Sequence, residues 1–311
     1  MHEINRIFRK FRLKYSKHQD LWFKVLNLDQ NHQQNSFMTL NCNGRIIDLN
    51  TPKVMGILNV TPDSFYDGGR FKDEKSVLAQ VEKLLKEGAT FIDIGAYSSR
   101  PGADFVSQDE ELKRLIPIVT SVINNFPETL ISIDSFRSEV VKTAIQAGAA
   151  IVNDISAGLQ DPLMFETIGT LGVPYIMMHM RGTPQTMQQM TTYSDVIKEV
   201  YTYFSKRIQL ARTHQIKDLI LDLGFGFSKT TDQNFKLLGM LDYYKNLNLP
   251  ILAGISRKSM IYKTLNTDAN KALNGTTALH MVALQKGAKL LRVHDVKEAV
   301  ECIDLYRALQ K

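Results

Sequence analysis

Eight short apolar runs in this 311-residue chain each stop at or near a polar side chain: Asn59, Asp93, Asp134, Asn153, His179, Asp222, Ser256 and His294. Asp, Asn and Ser at the end of a strand are favoured caps for a following helix, so any one of them has an ordinary structural reading. Eight in series point instead to a shared polar rim. Lys258, Arg292 and His294 are not N-cap residues at all, and they bring positive charge to the same set. Ser98–Gly102 (SSRPG) adds hydroxyls and a guanidinium suited to phosphate oxygens. Thr61–Gly69 ends in two glycines and reads as a mobile flap over the mouth of a site. Gly224–Thr230 (GFGFSKT) has the outline of a P-loop but carries Ser228 where the lysine must follow glycine, so nucleotide binding there is not expected.

These residues need a scaffold that brings eight strand ends together. Strands are expected at 53–59, 90–95, 129–134, 150–154, 174–179, 218–222, 250–255 and 288–293. Helices are expected near 73–87, 107–126, 136–147, 161–171, 194–213, 232–246, 272–286 and 296–309. Runs such as Ile131–Ile133 and Leu219–Leu221 are rich in branched residues and too short for buried helices. In the last helix Val296, Val300, Ile303 and Leu305 are expected on the apolar side. Strand–helix units in series imply a parallel sheet with right-handed crossovers, and eight of them close a (β/α)8 TIM barrel, the expected fold class. An open doubly wound sheet is the alternative. Ahead of the first unit, Phe37–Asn41 and Arg45–Leu49 flank Asn43-Gly44, a hairpin signal, and this N-terminal β-hairpin is placed across the bottom of the barrel.

Hydrophobic residues at 44% and charged residues at 23% suit an ordinary globular core. No apolar stretch reaches the ~18 residues of a membrane span. Cys42 and Cys302 are far apart and form no CxxC pair, which argues against a disulfide framework or zinc site and suits a cytoplasmic location. Residues 1–37 hold seven Lys/Arg against three acids, so most of the formal +6 belongs to the leader, and no nucleic-acid-binding body is implied. The expected organisation is a basic extension over 1–36 and a barrel over 37–311. The extension has apolar residues at helical spacing (Ile4, Ile7, Phe8, Phe11, Tyr15). A membrane-surface helix, a targeting segment, a loosely attached tail and a true start at Met38 all remain open readings of it.

From about Met38 onward the chain resembles dihydropteroate synthase. The resemblance is carried by Met55–Phe65 (MGILNVTPDSF) with the following DGG, SSRPGA, Ile133–Ser135, Val152–Asp154, LDLGFGFSK, Ser256–Lys258 and RVHDV, in the family's order at matching strand ends. It implies that the enzyme condenses 6-hydroxymethyl-7,8-dihydropterin diphosphate with para-aminobenzoate and releases diphosphate, as part of folate biosynthesis. It also implies that Asp134, Asn153, Asp222 and Lys258 bind the pterin ring, whose amidine-like edge suits a bidentate carboxylate. Asn59 would hold Mg²⁺ on the diphosphate. Ser99, Arg100, Arg292 and His294 would receive the leaving group, and Asp93 would pair with basic neighbours to hold the rim together. Phe65, Pro101, Phe227, Ser256 and Lys258 would wall the amine site. A homodimer packed through barrel helices and inhibition by sulfonamides are further implications.

Four positions depart from the family pattern: Ala96 and Tyr97 in the second loop, with Leu223 and Ser228 in the sixth. They put the shape of those loops in question and remove no chemical group. His179 and His280 read as structural histidines. Other readings are a methyltetrahydrofolate-type methyltransferase module, a non-catalytic pterin-binding paralogue, and a Schiff-base aldolase using Lys258.

Overall fold

Apolar side chains alternate along every strand of the barrel because successive residues point to opposite faces. On Phe91–Gly95, Phe91 and Asp93 face the barrel axis while Ile92 and Ile94 pack outward against helices. The computed structural model describes residues 38–60, 70–97 and 106–311, with the side chains of 70–73 outside that description. The basic extension, the flap with Phe65, and Ser99, Arg100 and Pro101 therefore lie outside the described residues.

The strands are β1 (Thr39–Cys42), β2 (Arg45–Asp48), β3 (Lys53–Asn59), β4 (Phe91–Gly95), β5 (Leu130–Asp134), β6 (Ile151–Asp154), β7 (Tyr175–Met178), β8 (Leu219–Asp222), β9 (Ile251–Ala253) and β10 (Leu290–Val293). The helices are α1 (Arg70–Lys86), α2 (Gln108–Asn125), α3 (Ser138–Gln146), α4 (Met164–Leu171), α5 (Val196–Thr213), α6 (Thr231–Gly239), α7 (Ser259–Thr264), α8 (Leu273–Gln285) and α9 (Val296–Ala308). Among the described residues, β3 to β10 pair in parallel in sequence order, and β10 closes back on β3. The expected TIM barrel is the observed one, and the open sheet is set aside.

The hairpin is antiparallel, with Thr39 opposite Asp48 and both turn residues, Asn43 and Gly44, at positive φ. That is the twist a two-residue hairpin requires. Leu40, Cys42 and Leu49 bury against Met55, Phe91, Leu130, Ile151, Ile176, Ile220, Leu252 and Leu290, which lie at or near the start of the barrel strands. Asn41 N–H donates to Asp218 (2.8 Å) and Arg45 Nη1 to the Glu128 carbonyl (2.7 Å), fastening the hairpin to the bottom loops. The bottom is thus filled with hydrocarbon, and the polar strand ends gather at the opposite mouth.

Two expectations need correction. The single helix expected at 232–246 breaks into α6 and a 3-10 helix, Leu241–Leu247, just after Gly239. On α9 the buried face is Val296, Ala299, Cys302 and Ile303, while Leu305 is 63% exposed. Leu305 follows Val296 by nine positions, about half a turn out of phase at ~3.6 residues per turn.

Candidate active site

The period of two that fills the lower barrel with hydrocarbon brings polar groups inward near the top of the same strands. Asp93, Asp134, Asn153, Asp222 and Arg292 all stand on the inner face. A cleft of about 320 Å³ opens among Asp134, Asn153, Met178, Asp222, Lys258 and Arg292, with Ile155, Phe225, Phe227 and Gly254 completing its wall.

Arg292 organises the floor. Its Nε donates to Asp93 Oδ2 at 2.6 Å and its Nη2 to Asp134 Oδ2 at 2.8 Å. Asn153 Nδ2 donates to the same Asp93 oxygen at 3.1 Å. Burial pushes the Asp134 carboxyl up to about 7, with Arg292 working against that rise and Asp93 adding to it. The guanidinium is held charged above its usual range by the two carboxylates, against the cost of its own burial. One guanidinium thus serves two carboxylates, a use that depends on its planar fork. Arg292, expected to receive the diphosphate, lines the cleft and is joined to the carboxylates.

Asp222 is buried, and one oxygen accepts from Gly224 N–H at 2.8 Å. Burial raises its carboxyl, opposed first by that N–H and then by Lys258. Lys258 stands with its Nζ 4.3 Å from the centre of the Phe227 ring, a cation–π distance. Phe227 belongs to an apolar cluster with Ile155, Met178, Met180 and Met187. One flank of the cleft is therefore greasy and the other charged.

The rim beyond Arg292 is built from two turns clamped together. Ser256 Oγ lies 3.1 Å from His294 Nδ1 and also accepts from His294 N–H at 3.2 Å. Arg257 makes a bidentate pair with Asp295 at 2.6 and 2.9 Å. Partial enclosure of the His294 ring, then Arg292 and Arg257, lower it to about 4, although the residue as a whole stays exposed. In the free protein its imidazole is neutral near pH 7. Asn59, at the exposed end of β3, sits opposite Gly95 in the sheet register.

Two residues that build the site carry no legible signal of their role in the sequence. Lys229 is buried and donates to the carbonyls of Gly224 (2.9 Å), Phe227 (3.0 Å) and His179 (3.2 Å). Burial pulls its ammonium down to about 7, and the charge of Asp222 opposes the fall. Three carbonyls around three N–H donors are what shape the sixth loop; the P-loop outline of GFGFSK hid this. Gly224 sits at φ +66, where an added Cβ would come within 2.0 Å of the His179 carbonyl oxygen, so no other residue fits there without moving backbone. Arg257 is the second: sequence inspection finds it in a motif, but its partner Asp295 is 38 positions away.

The departures from the family pattern have local explanations in part. Ser228 lies at φ +46, and its hydroxyl accepts from Arg181 N–H at 3.0 Å, joining the sixth loop to the one after β7. Leu223 is fully buried outside the barrel. His179, on the outer side of its strand end, packs edge-on against Tyr203 with centroids 4.7 Å apart, and burial holds it well below its usual range. His280 is buried on α8 and lowered to about 4 by burial. Neither reaches the cleft. In Val152–Asp154, Asn153 faces the cleft while Asp154 turns outward and accepts from Tyr175 Oη (2.6 Å), Ser156 and Gly158.

Comparison with known proteins places this geometry. The pterin binding enzyme family matches residues 55–294. The dihydropteroate synthase of Haemophilus influenzae is 44% identical over 273 residues, which is 87% of this chain and 98% of that protein. That of Escherichia coli K12 is 43% identical over 275 residues, 87% and 96% of the two chains. Among solved structures, Yersinia pestis dihydropteroate synthase in a sulfonamide drug complex superposes with a TM-score of 0.82 at 39% identity, covering 88% of this chain and 99% of that one. The Xanthomonas albilineans enzyme in complex with 7,8-dihydropteroate gives 0.79 at 37%, covering 88% and 98%.

Proposed function

From the premise that this chain belongs to the pterin binding enzymes, and within them to the dihydropteroate synthases, we propose how its own residues divide the reaction. The chain is a transferase: it condenses 6-hydroxymethyl-7,8-dihydropterin diphosphate with para-aminobenzoate, giving 7,8-dihydropteroate and diphosphate. The methyltransferase, non-catalytic and aldolase readings give way to this one. The complexes of related enzymes with 4-aminobenzoic acid and with a sulfonamide support the amine substrate and mark the family as a sulfonamide target.

The observation that carries the division of labour is the convergence of Asp134, Asn153, Asp222 and Lys258 on one cleft from four separate strand ends. Asp222 accepts from the paired N–H groups of the pterin edge, while Asn153 and Lys258 meet its remaining polar atoms. Arg292 keeps Asp134 and Asp93 in place and lends positive charge toward the mouth. The bond between the pterin methylene and the diphosphate oxygen breaks, the arylamine nitrogen forms the new bond to that carbon, and the amine proton is released. No strong base is needed, since the charge requiring stabilisation is on the departing diphosphate. Arg292 and the exposed His294 supply that stabilisation from this side of the rim, His294 by taking up a proton as the anion approaches. Ser99 and Arg100 supply it from the second loop, and Pro101, Phe227 and Ser256 bound the amine.

Asn59 offers one carbonyl oxygen at the exposed rim, and among the described residues no group of three or more His, Cys, Asp or Glu could hold a metal. This donor set fits a Mg²⁺ that arrives on the diphosphate and keeps water and phosphate ligands. When bound, it neutralises charge on the leaving group. A homodimer packed through barrel helices and a cytoplasmic location belong to the same proposal, the first open to sedimentation. Among the described residues no helix is long and apolar enough to cross a membrane.

The decisive experiment measures diphosphate release with both substrates, with and without Mg²⁺. Release that needs both substrates and the metal is expected. Release without the amine, or none at all, would overturn the assignment.

A further inference from the structure

At the rim, two nitrogens of His294 converge on a single hydroxyl. Ser256 Oγ accepts from the His294 backbone N–H at 3.2 Å and lies 3.1 Å from His294 Nδ1. Ser256 is 3% exposed, and among the described residues no third group is hydrogen-bonded to its oxygen. The spacing of the pair is set from outside it. Arg257, next to Ser256, stands at φ +54, and its N–H donates to Thr276 Oγ1 at 3.1 Å. Its guanidinium holds Asp295, next to His294.

A serine hydroxyl has one proton to give and two lone pairs to receive. If Nδ1 carried the imidazole proton and donated to Ser256, the oxygen would accept twice. Its own proton would then be left buried without an acceptor, at the full cost of desolvation. With that proton directed at Nδ1, each polar atom of the pair is satisfied. The ring is neutral near pH 7, since its enclosure and the charges of Arg292, Arg257 and Lys258 outweigh the pull of Asp295. In a neutral imidazole one nitrogen accepts and the other donates, and the bond made by the first decides the second. Nδ1 accepts, so the proton sits on Nε2, which has no hydrogen-bond partner among the described residues.

The consequence reaches the leaving group. The opposite tautomer would meet an arriving diphosphate with the Nε2 lone pair, which repels an anion; this one meets it with an N–H. A proton taken up as the anion approaches adds at Nδ1 and turns the hydroxyl, so the outward N–H is the same in both states. Arg292, two residues before His294, and Lys258, two residues after Ser256, both line the cleft, so the pair stands where the cleft meets the rim.

We propose that Ser256 is a positioning residue for His294: its hydroxyl donates to Nδ1, fixes the imidazole as the Nε2–H tautomer, and so presents a donor to the departing diphosphate. The inference rests on the reading that His294 receives that diphosphate.

The test reads the tautomer directly, by heteronuclear NMR of histidine-labelled protein near pH 7, with His294 assigned by the signal that His294→Ala removes. Calorimetry adds the Kd of inorganic diphosphate with Mg²⁺ and that of a diphosphate-free pterin analogue. Wild type is expected to show the Nε2–H tautomer alone. Ser256→Ala is expected to show a mixture of both tautomers and to weaken diphosphate about three- to tenfold, the worth of one hydrogen bond, with pterin-analogue affinity within about twofold. Ser256→Thr, which keeps the hydroxyl, is expected to restore both readouts. An Nδ1–H tautomer in wild type overturns the proposal. So does a Ser256→Ala protein with an unchanged tautomer, or with equal losses for the two ligands, which marks a merely structural role. Should Ser256→Ala fail to fold, Ser256→Cys, whose thiol is a weak donor, is judged by the same readouts. Diphosphate affinity unchanged in His294→Ala would sink the parent reading and this one with it. A loss there, with Ser256→Ala binding diphosphate as wild type does, sinks this one alone.

Discussion

Single side chains in the cleft carry more than one duty, and that governs what their removal does. Asp222 accepts from Gly224 N–H as well as facing the cleft, so Asp222→Ala loses a ring acceptor and loosens the sixth loop. We expect turnover to vanish and pterin-analogue affinity to fall by at least 1–3 kcal/mol, the range for stranding buried donors. Near-normal analogue binding by calorimetry would remove Asp222 from the ring site. From sequence alone, Arg292→Ala would be expected to weaken diphosphate binding and largely spare a diphosphate-free pterin. Its ion pairs with Asp93 and Asp134 change that expectation. Removing one partner of a buried pair costs about 3–5 kcal/mol, because a charge is left uncompensated. Arg292→Ala should therefore lower stability and weaken both ligands, whereas Arg292→Lys keeps charge and loses the fork. Equal stability of wild type and Arg292→Ala in urea would contradict this account.

At the scale of elements, the hairpin and the clamped rim turns show how the barrel fixes its two ends differently. The bottom is sealed by apolar contact, with Leu40 only 1% exposed beneath the barrel interior. Leu40→Ala should cost about 2–5 kcal/mol, as for other fully buried leucines, with little effect on the KM of either substrate at a temperature where the protein stays folded. A large kinetic effect without loss of stability would mean that the hairpin does more than close the barrel. The top is held by polar contacts between loops. Arg257 with Asp295 and Ser256 with His294 lock the turn after β9 to the turn after β10, and Ser228 locks the sixth loop to the one after β7. Hydrogen bonds are directional, so they fix the aim of a side chain where apolar packing alone would leave it free to slide.

For the whole molecule, neutral buried histidines contribute a stabilisation that acid removes. Burial lowers His280 from 6.5 to about 4. The unfolded chain therefore takes up its proton first as the pH falls. The stabilisation from keeping this ring neutral is complete above about 6.5 and is lost progressively between there and about 4. His179 is lowered in the same direction by burial and adds to the loss. At about 1.4 kcal/mol per unit of difference, the upper bound for His280 is about 3 kcal/mol. Denaturant titrations from pH 7.5 to 4 should show wild type losing stability relative to His280→Gln as the pH falls, whatever the buried carboxyls contribute to both. Parallel pH profiles for the two proteins would remove His280 from the pH dependence of stability.

Much of the barrel and of its polar rim was legible in the chain itself. Alternating and branched apolar runs at regular intervals specify eight strand–helix units, since side chains on a strand repeat every two residues and on a helix every 3.6. Polar residues at the ends of those runs, such as Asp134, Asn153 and Asp222, marked the site because a barrel interior has no other use for them. What the chain alone left open was which rim residues touch which. Arg292 reaches Asp93 across 199 positions and Asp134 across 158. Arg257 meets Asp295, and Arg137 gathers Glu111, Tyr97 and Val106, through distances that no local period encodes. The residue types and their phase along each strand are local properties. The pairing of charges is set by the closure of the barrel, which brings β10 against β3 and decides which guanidinium answers which carboxylate.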